Sequence, residues 1–235
     1  MHAYIQLVNA CRDGNLSVVK KCIKQGVNIN DGNDKGLRQA AKNGHLEIVK
    51  YLIESGANIH AYDDHALICA AFYGHLEIVK YLIEHGAKIN AEQDNALRSA
   101  ARNGHLDIVK YLTEQGANIH AMFSEPVQYA AHNGHLEVVK YLTEHGANIR
   151  ANNNFALRFA SSRGHFEVVK YLVENGANIR AWEYSVSRFI TKPEIAEYLR
   201  NYENDKGSSV AKDEDPPVQK SFDIDIKEFK VRKVN

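Results

Sequence analysis

The chain has 235 residues, with 29 Lys plus Arg balancing 29 Asp plus Glu, and 44% of its residues are hydrophobic. A formal charge of zero gives no bulk attraction for nucleic acid or a membrane surface, and the apolar runs fall far short of the ~20 residues that span a bilayer. Met1-His2-Ala3-Tyr4 lacks a charged-then-apolar signal pattern, and the scattered Cys11, Cys22 and Cys69 suit buried thiols in a reducing compartment, so an intracellular protein, cytoplasmic or nuclear, is expected.

In chain order, the first unit is followed by close copies of itself. The run from Gly44 to Leu52 (Gly-His-Leu-Glu-Ile-Val-Lys-Tyr-Leu) recurs from Gly74, Gly104, Gly134 and Gly164, each copy 30 residues after the last. A fixed period of this kind predicts a solenoid, whose units bury their apolar faces only against their neighbours. Such a stack offers surface rather than an enclosed pocket, which argues against an enzyme. In the first unit Lys21 and Lys24 replace the Tyr and Glu of later copies, as suits a capping unit.

Residues 61–90 serve as the type unit. Its first helix is expected to start with Asp64 as N-cap, a column shared with Asp34, Asp94, Ser124 and Asn154. Leu67, Ala70 and Ala71 share one face of it, small enough for a close partner. The second helix is expected from about His75 to His85, with Leu76, Val79, Leu82 and Ile83 on one stripe and Glu77, Lys80 and Glu84 on the other. Twelve of the 15 glycines fall in two columns headed by Gly14 and Gly26, just past predicted helix ends, where a left-handed cap disfavours a Cβ.

The last unit, Ala181 to Tyr202, loses its Gly-His turn, and Thr191 followed by Pro193 predicts the start of a closing helix. The solenoid is therefore expected over 1–202, as six full units and a shortened C-terminal cap. Residues 203–235 read as a disordered tail. Within it Phe222, Ile224 and Ile226 alternate with polar residues, a strand-like pattern open to two readings, a frayed end or a docking peptide.

The run Ala-Ala-x-x-Gly-His-Leu-Glu-Ile-Val-Lys-Tyr-Leu-x-Glu-x-Gly-Ala-Asn-Ile-x-Ala resembles the ankyrin repeat over residues of about 3 to 202. The period of 30 departs from the family's 33, and His65-Ala66-Leu67-Ile68 and its counterparts stand where the family has Thr-Pro-Leu-His. The resemblance implies an all-α helix-turn-helix solenoid, here with shortened loops in place of β-hairpins. Near-identical 30-residue units are also similar to ankyrin-repeat proteins of giant viruses of amoebae, which would place this one in a host cell, in host–virus interaction.

Two repeated columns invite chemistry. His45, His75, His105, His135 and His165 stand ~10 Å apart if packed as helices generally are, too far to share a zinc, and are expected to hydrogen-bond the turns. Glu47, Lys50 and Glu54 lie on a solvated stripe with no accompanying nucleophile. No catalytic residue, metal or cofactor is expected.

The columns that vary between copies are those the fold leaves free. They fall in the loops and on the outward side of the first helices, which the resemblance implies is the concave partner groove. Tyr62, Phe72, Tyr73, Arg98, Arg102, Phe123, Tyr129 and Phe155 are the candidate contact residues there. The expected function is that of a non-enzymatic adaptor, monomeric, that binds a protein partner. The alternative is nucleic acid or another acidic ligand along Arg38, Lys42, Arg98, Arg102, Arg158 and Arg163, a stripe that Ile68, Phe72 and Gln128 interrupt.

Overall fold

The computed structural model describes residues 2–179 and 192–206. Helices come in pairs: α1 (His2–Asp13) with α2 (Leu16–Lys24), α3 (Asp31–Lys42) with α4 (Leu46–Glu54), and α5 (Ala61–Tyr73) with α6 (Leu76–Glu84). Three more pairs follow, α7 (Ala91–Asn103) with α8 (Leu106–Glu114), α9 (Ala121–His132) with α10 (Leu136–Glu144), and α11 (Ala151–Arg163) with α12 (Phe166–Glu174); the closing helix is α13 (Pro193–Lys206). The described residues contain no strand, so the loops between pairs are short turns and not hairpins.

The odd-numbered helices lie closest together, each packed on the next from α1 to α11. Their paired alanines explain this: Ala40, Ala41, Ala70, Ala71, Ala100, Ala101, Ala130 and Ala131 are all fully buried. Leu37, Leu67, Leu97, Val127 and Leu157 fill the space between these helices and the even-numbered ones, whose Ile48/Val49/Leu52 triplet and its copies complete one continuous core. Cys11 and Cys22 belong to that core as free thiols, and burial pushes the Cys11 thiol up to about 12.

Within its given range, each odd-numbered helix from α3 to α11 opens on a feature the sequence did not announce. Three consecutive residues take left-handed backbone, as at Tyr62 (φ 55°), Asp63 (52°) and Asp64 (57°), before the right-handed helix proper begins. Left-handed geometry costs ~1–2 kcal/mol for each residue with a Cβ, least for Asn and Asp. Asn152-Asn153-Asn154 and Gly32-Asn33-Asp34 suit it, whereas Tyr62, Met122 and Phe123 do not.

The third residue of each left-handed turn offsets this cost, by a route other than the expected N-cap. Asp34 Oδ1 accepts from the backbone N–H of Asn58 at 2.9 Å, Asp64 from Lys88 at 3.0 Å, Asp94 from Asn118 at 2.9 Å and Asn154 from Asn178 at 2.8 Å. Ser124 does the same for Asn148 at a longer 3.3 Å. These side chains tie the start of each odd-numbered helix to the loop that closes the same unit instead of capping their own helices.

The histidine column forms the bond that crosses from one unit to the next. Nε2 of His45, His75, His105, His135 and His165 lies 2.9–3.1 Å from the carbonyl oxygen of Arg12, Lys42, Phe72, Arg102 and His132 respectively, at the C-terminal end of the preceding odd-numbered helix. With a carbonyl as acceptor, the ring donates through Nε2. Each ring also covers the glycine of the preceding turn: a Cβ on Gly74 would stand 2.7 Å from His105 Cε1. The glycines of this column are thus held by packing as well as by φ.

Both ends depart from this scheme. At the first unit Asn15 replaces histidine and accepts from the N–H of Val18 and the hydroxyl of Ser17, satisfying its own helix. At the other end the Lys192 side chain covers Gly164 as histidines do elsewhere, and α13 buries Ile195 and Leu199 against the stack. The closing helix starts at Pro193 and runs on to Lys206, beyond the residue 202 expected; Thr191 lies outside the described residues.

Candidate recognition face

The left-handed turns place the loop tips and the outward side of the odd-numbered helices on one face. There Phe123 is 71% exposed, Tyr62 59%, Tyr73 45% and Met122 41%. Tyr62, Met122 and Phe123 all sit at left-handed positions. Met122 belongs to a variable loop column but was not among the sequence-derived candidates, since a single methionine among Gly32, Tyr62, Glu92 and Asn152 carries no pattern.

The other candidates are less exposed. Phe72 is half-buried and leans on Tyr73, with ring centroids 4.8 Å apart. Tyr129 is half-buried too, and desolvation, then the nearby Glu125 carboxylate, pushes its phenol pKa up. Phe155 is not part of the surface: it is buried at 8% exposure and stacks on Phe159 at 4.0 Å. Its column holds Lys35, His65, Asn95 and Glu125 elsewhere, all half-buried, and an aromatic side chain there turns fully inward.

The cations of this face are largely engaged. Arg38 lies over the Tyr62 ring at 5.2 Å and donates to the carbonyls of Gly32 and Asn33. Lys42 lies over Tyr73 at 5.3 Å, and Arg102 over Tyr129 at 5.4 Å. In each case the cation of one unit covers an aromatic of the next, an arrangement worth about 0.5–1 kcal/mol at exposed sites. Arg98 Nε stands 2.7 Å from Glu125 Oε2, close enough for an ion pair although the N–H is not aligned for a hydrogen bond. Arg158 is half-buried, and desolvation lowers its pKa. Arg163 remains exposed.

The opposite side, on the even-numbered helices, carries exposed pairs such as Lys80–Glu77 at 2.8 Å and Lys140–Glu137 at 2.8 Å. Pairs of this kind contribute a few tenths of a kcal/mol. A shallow depression of about 290 Å³ lies beside α12, lined by Leu136, His165, Phe166 and Lys192 among others, away from the exposed aromatics. Among the described residues no cluster of His, Cys, Asp and Glu is placed to hold a metal, and no helix is long and apolar enough to cross a membrane.

Comparison with known proteins agrees with this architecture. The family model of ankyrin repeats (3 copies) matches at residues 6–63, 37–123 and 122–181. Among solved structures, the chain is similar to the human ASB11 ankyrin repeat domain, with a TM-score of 0.70 and 25% identity over 90% of this chain and 99% of that one. A search of curated protein sequences finds no match. Ankyrin repeats are in general protein–protein interaction modules. With matches running from residue 6 to residue 181, the chain belongs to the ankyrin-repeat family.

Proposed function

We propose that the chain is a non-enzymatic scaffold that binds a protein partner along the face made by α5, α7 and α9 and their preceding turns. The observation that carries this reading is the placing of Tyr62, Met122 and Phe123. Each is a large apolar side chain, 41–71% exposed, at a left-handed position where other units meet the backbone requirement at lower cost, with Gly32 or Asn152 in the column of Tyr62 and Met122 and Asn33 or Asn153 in that of Phe123. The fold gains little from them, and exposed aromatics of this kind are the usual anchors of an interface. Arg102 and Arg98 border the same surface and would set its polar rim. The tail would recruit a second factor, and the giant-virus resemblance would put the partner in the cytoplasm or nucleus of a host cell.

The test is affinity capture with Tyr62→Ala/Phe123→Ala, which should lose the partner while melting unchanged. Phe72 and Tyr129 are poorer choices, because their half-buried rings also pack the fold. Lys80→Ala/Lys110→Ala on the other face is the control, and it should keep the partner. Loss of the partner in the lysine variant alone would refute the reading. Binding of nucleic acid is less well supported, because Arg38, Lys42, Arg98 and Arg102 already have partners within the fold. A steep fall of binding with salt would favour it.

A further inference from the structure

We infer that the C-terminal ends of α7, α9 and α11 form a subsite for a carboxylate of the protein partner, held by the guanidinium groups of Arg102 and Arg163 beside the His132 ring. The subsite rests on the proposed use of this face for binding. Arg102 and His132 are half-buried and Arg163 is exposed.

The repeat register brings these side chains together. Lys42 lies over Tyr73, 31 residues further on, at 5.3 Å, and Asn133 Nδ2 reaches back over the same interval to the Arg102 carbonyl at 2.8 Å. His132 and Arg163 stand in that same relation on the packed helices α9 and α11. The His132 ring is held by stacking on Phe159 at 5.2 Å, and Arg102 lies over Tyr129 of α9 at 5.4 Å. A guanidinium over a ring spends its flat face and keeps its N–H groups at the edge.

Among the described residues no ion pair takes up the charge of Arg102 or Arg163. The acidic residues of α7 and α9 lie at the other end of those helices and are engaged: Glu92 accepts from Asn95, Asp94 from the N–H of Asn118, and Glu125 stands 2.7 Å from Arg98. α11 has no acidic residue, and its Arg158 adds a guanidinium whose buried Nε has no hydrogen-bond partner. Nearer the subsite, Asp107 accepts from the N–H of Ile108, Glu137 holds Lys140, and Glu194 lies 3.8 Å from Lys192. The cations of α3, Lys35, Arg38 and Lys42, are separated from α7 by α5 and take no part.

Cations at a helix C-terminus ordinarily serve the last carbonyls. Here neutral side chains already do so: Asn133 and His135 bond the carbonyl of Arg102, and His165 that of His132. The two arginines are thus left with N–H groups that the fold does not use, in the planar arrangement that pairs with a carboxylate. Met122 and Phe123 precede the same helix, whose right-handed part from Glu125 to His132 is roughly 10 Å long. A partner docked on both therefore presents an apolar and an acidic side chain about 10 Å apart, three residues in an extended chain.

The experiment uses the full-length protein without a partner and two probes, sulfate and the capped peptide Ac-Phe-Gly-Gly-Glu-NH2. At low ionic strength each should shift the amide signals of Arg102, His132 and Arg163 saturably and leave those of Lys80 and Lys110 in place. Arg102→Gln/Arg163→Gln should weaken both probes by about tenfold or more. Arg38→Gln, whose parent side chain is spent on the carbonyls of Gly32 and Asn33, should change neither by more than about twofold. Sulfate should also raise the His132 pKa from about 4, since a nearby anion favours the charged ring. Shifts that do not saturate, or equal losses in the two variants, overturn the subsite. Binding of Ac-Phe-Gly-Gly-Gln-NH2 as tightly as the Glu peptide overturns the carboxylate. A thymidine decanucleotide that binds more tightly than the peptide and weakens steeply with salt overturns it too, by giving the subsite to nucleic acid. If the probes fail while Tyr62→Ala/Phe123→Ala still loses the partner, only this inference falls. If they bind while that variant keeps the partner, the proposed partner site falls and the subsite stands.

Discussion

Replacing Gly104 by Ala and, separately, Gly116 by Ala isolates what the histidine column does. Both glycines hold positive φ, 78° and 93°, so each alanine meets a left-handed penalty of ~1–2 kcal/mol. Their surroundings differ. A Cβ on Gly104 would stand 2.5 Å from His135 Nδ1 and 2.8 Å from its Cγ, while one on Gly116 would meet nothing within 4 Å. The His135 ring therefore has to move in Gly104→Ala, which breaks its 3.1 Å bond to the Arg102 carbonyl, a further ~0.5–1.5 kcal/mol. The expected losses are ~1–2 kcal/mol for Gly116→Ala and ~1.5–3.5 kcal/mol for Gly104→Ala. In a His135→Ala background the ring is gone, and the Gly104→Ala loss should fall to that of Gly116→Ala. Urea unfolding followed by circular dichroism measures all four variants, with the slope compared between them because repeat arrays can depart from two-state behaviour. Equal losses for the two glycines in the parent protein, or no relief by His135→Ala, would refute the packing argument.

Asp94→Ala leaves the Asn118 N–H without its acceptor and should cost ~1–3 kcal/mol in the same assay. Ser124→Asp, which restores the carboxylate that Asp34, Asp64 and Asp94 supply at the longest of these bonds, should raise the melting temperature. Met122→Gly should stabilise the chain by up to ~1 kcal/mol by removing a Cβ from a φ of 48°, and should weaken partner capture at the same time. Burial, with Arg163, Arg102 and His165 nearby, lowers the pKa of His132 to about 4. The unfolded chain then binds the proton first, so this contribution to stability is complete above about pH 6.5 and is lost as the pH falls towards 4. Melting temperature against pH should fall less steeply over that window in His132→Phe, and an unchanged slope would count against the assignment.

The helix pairs and the core were legible in the sequence because the period repeats the evidence several times. Leu67, Ala70 and Ala71 fall on one face by helical spacing alone, and the same spacing holds in every copy. The glycine caps were legible for the same reason. The left-handed turns were not, since Tyr62, Met122 and Phe123 contradict the preference for Gly, Asn and Asp at such positions; only Asn152-Asn153-Asn154 and Gly32-Asn33-Asp34 hinted at them. Asp64 was correctly placed at the start of a helix, but its partner lies 24 residues on, and a local capping rule cannot see that far. Phe155 was misjudged because its column is polar elsewhere, so nothing in the repeat pattern marked that position for burial. Exposure, the property that separates Phe123 from Phe155, depends on neighbouring units and not on the residue type.

The two repeated bonds act at opposite ends of the odd-numbered helices. The Asp column ties the start of one helix to the loop that closes its own unit, and the His column ties the end of that helix to the next unit's turn. The first bond fixes the loop on its own helix pair, and the second fixes that pair against its neighbour. The loop tips carrying Tyr62 and Phe123 are therefore held in place by buried groups of the framework, and a surface ordered beforehand would lose less conformational freedom on binding the proposed partner. The columns that make these bonds are also those that recur in the sequence, while the residues on the exposed tips differ from unit to unit. Framework and recognition are thus assigned to different columns, so the tips can change without disturbing the stack.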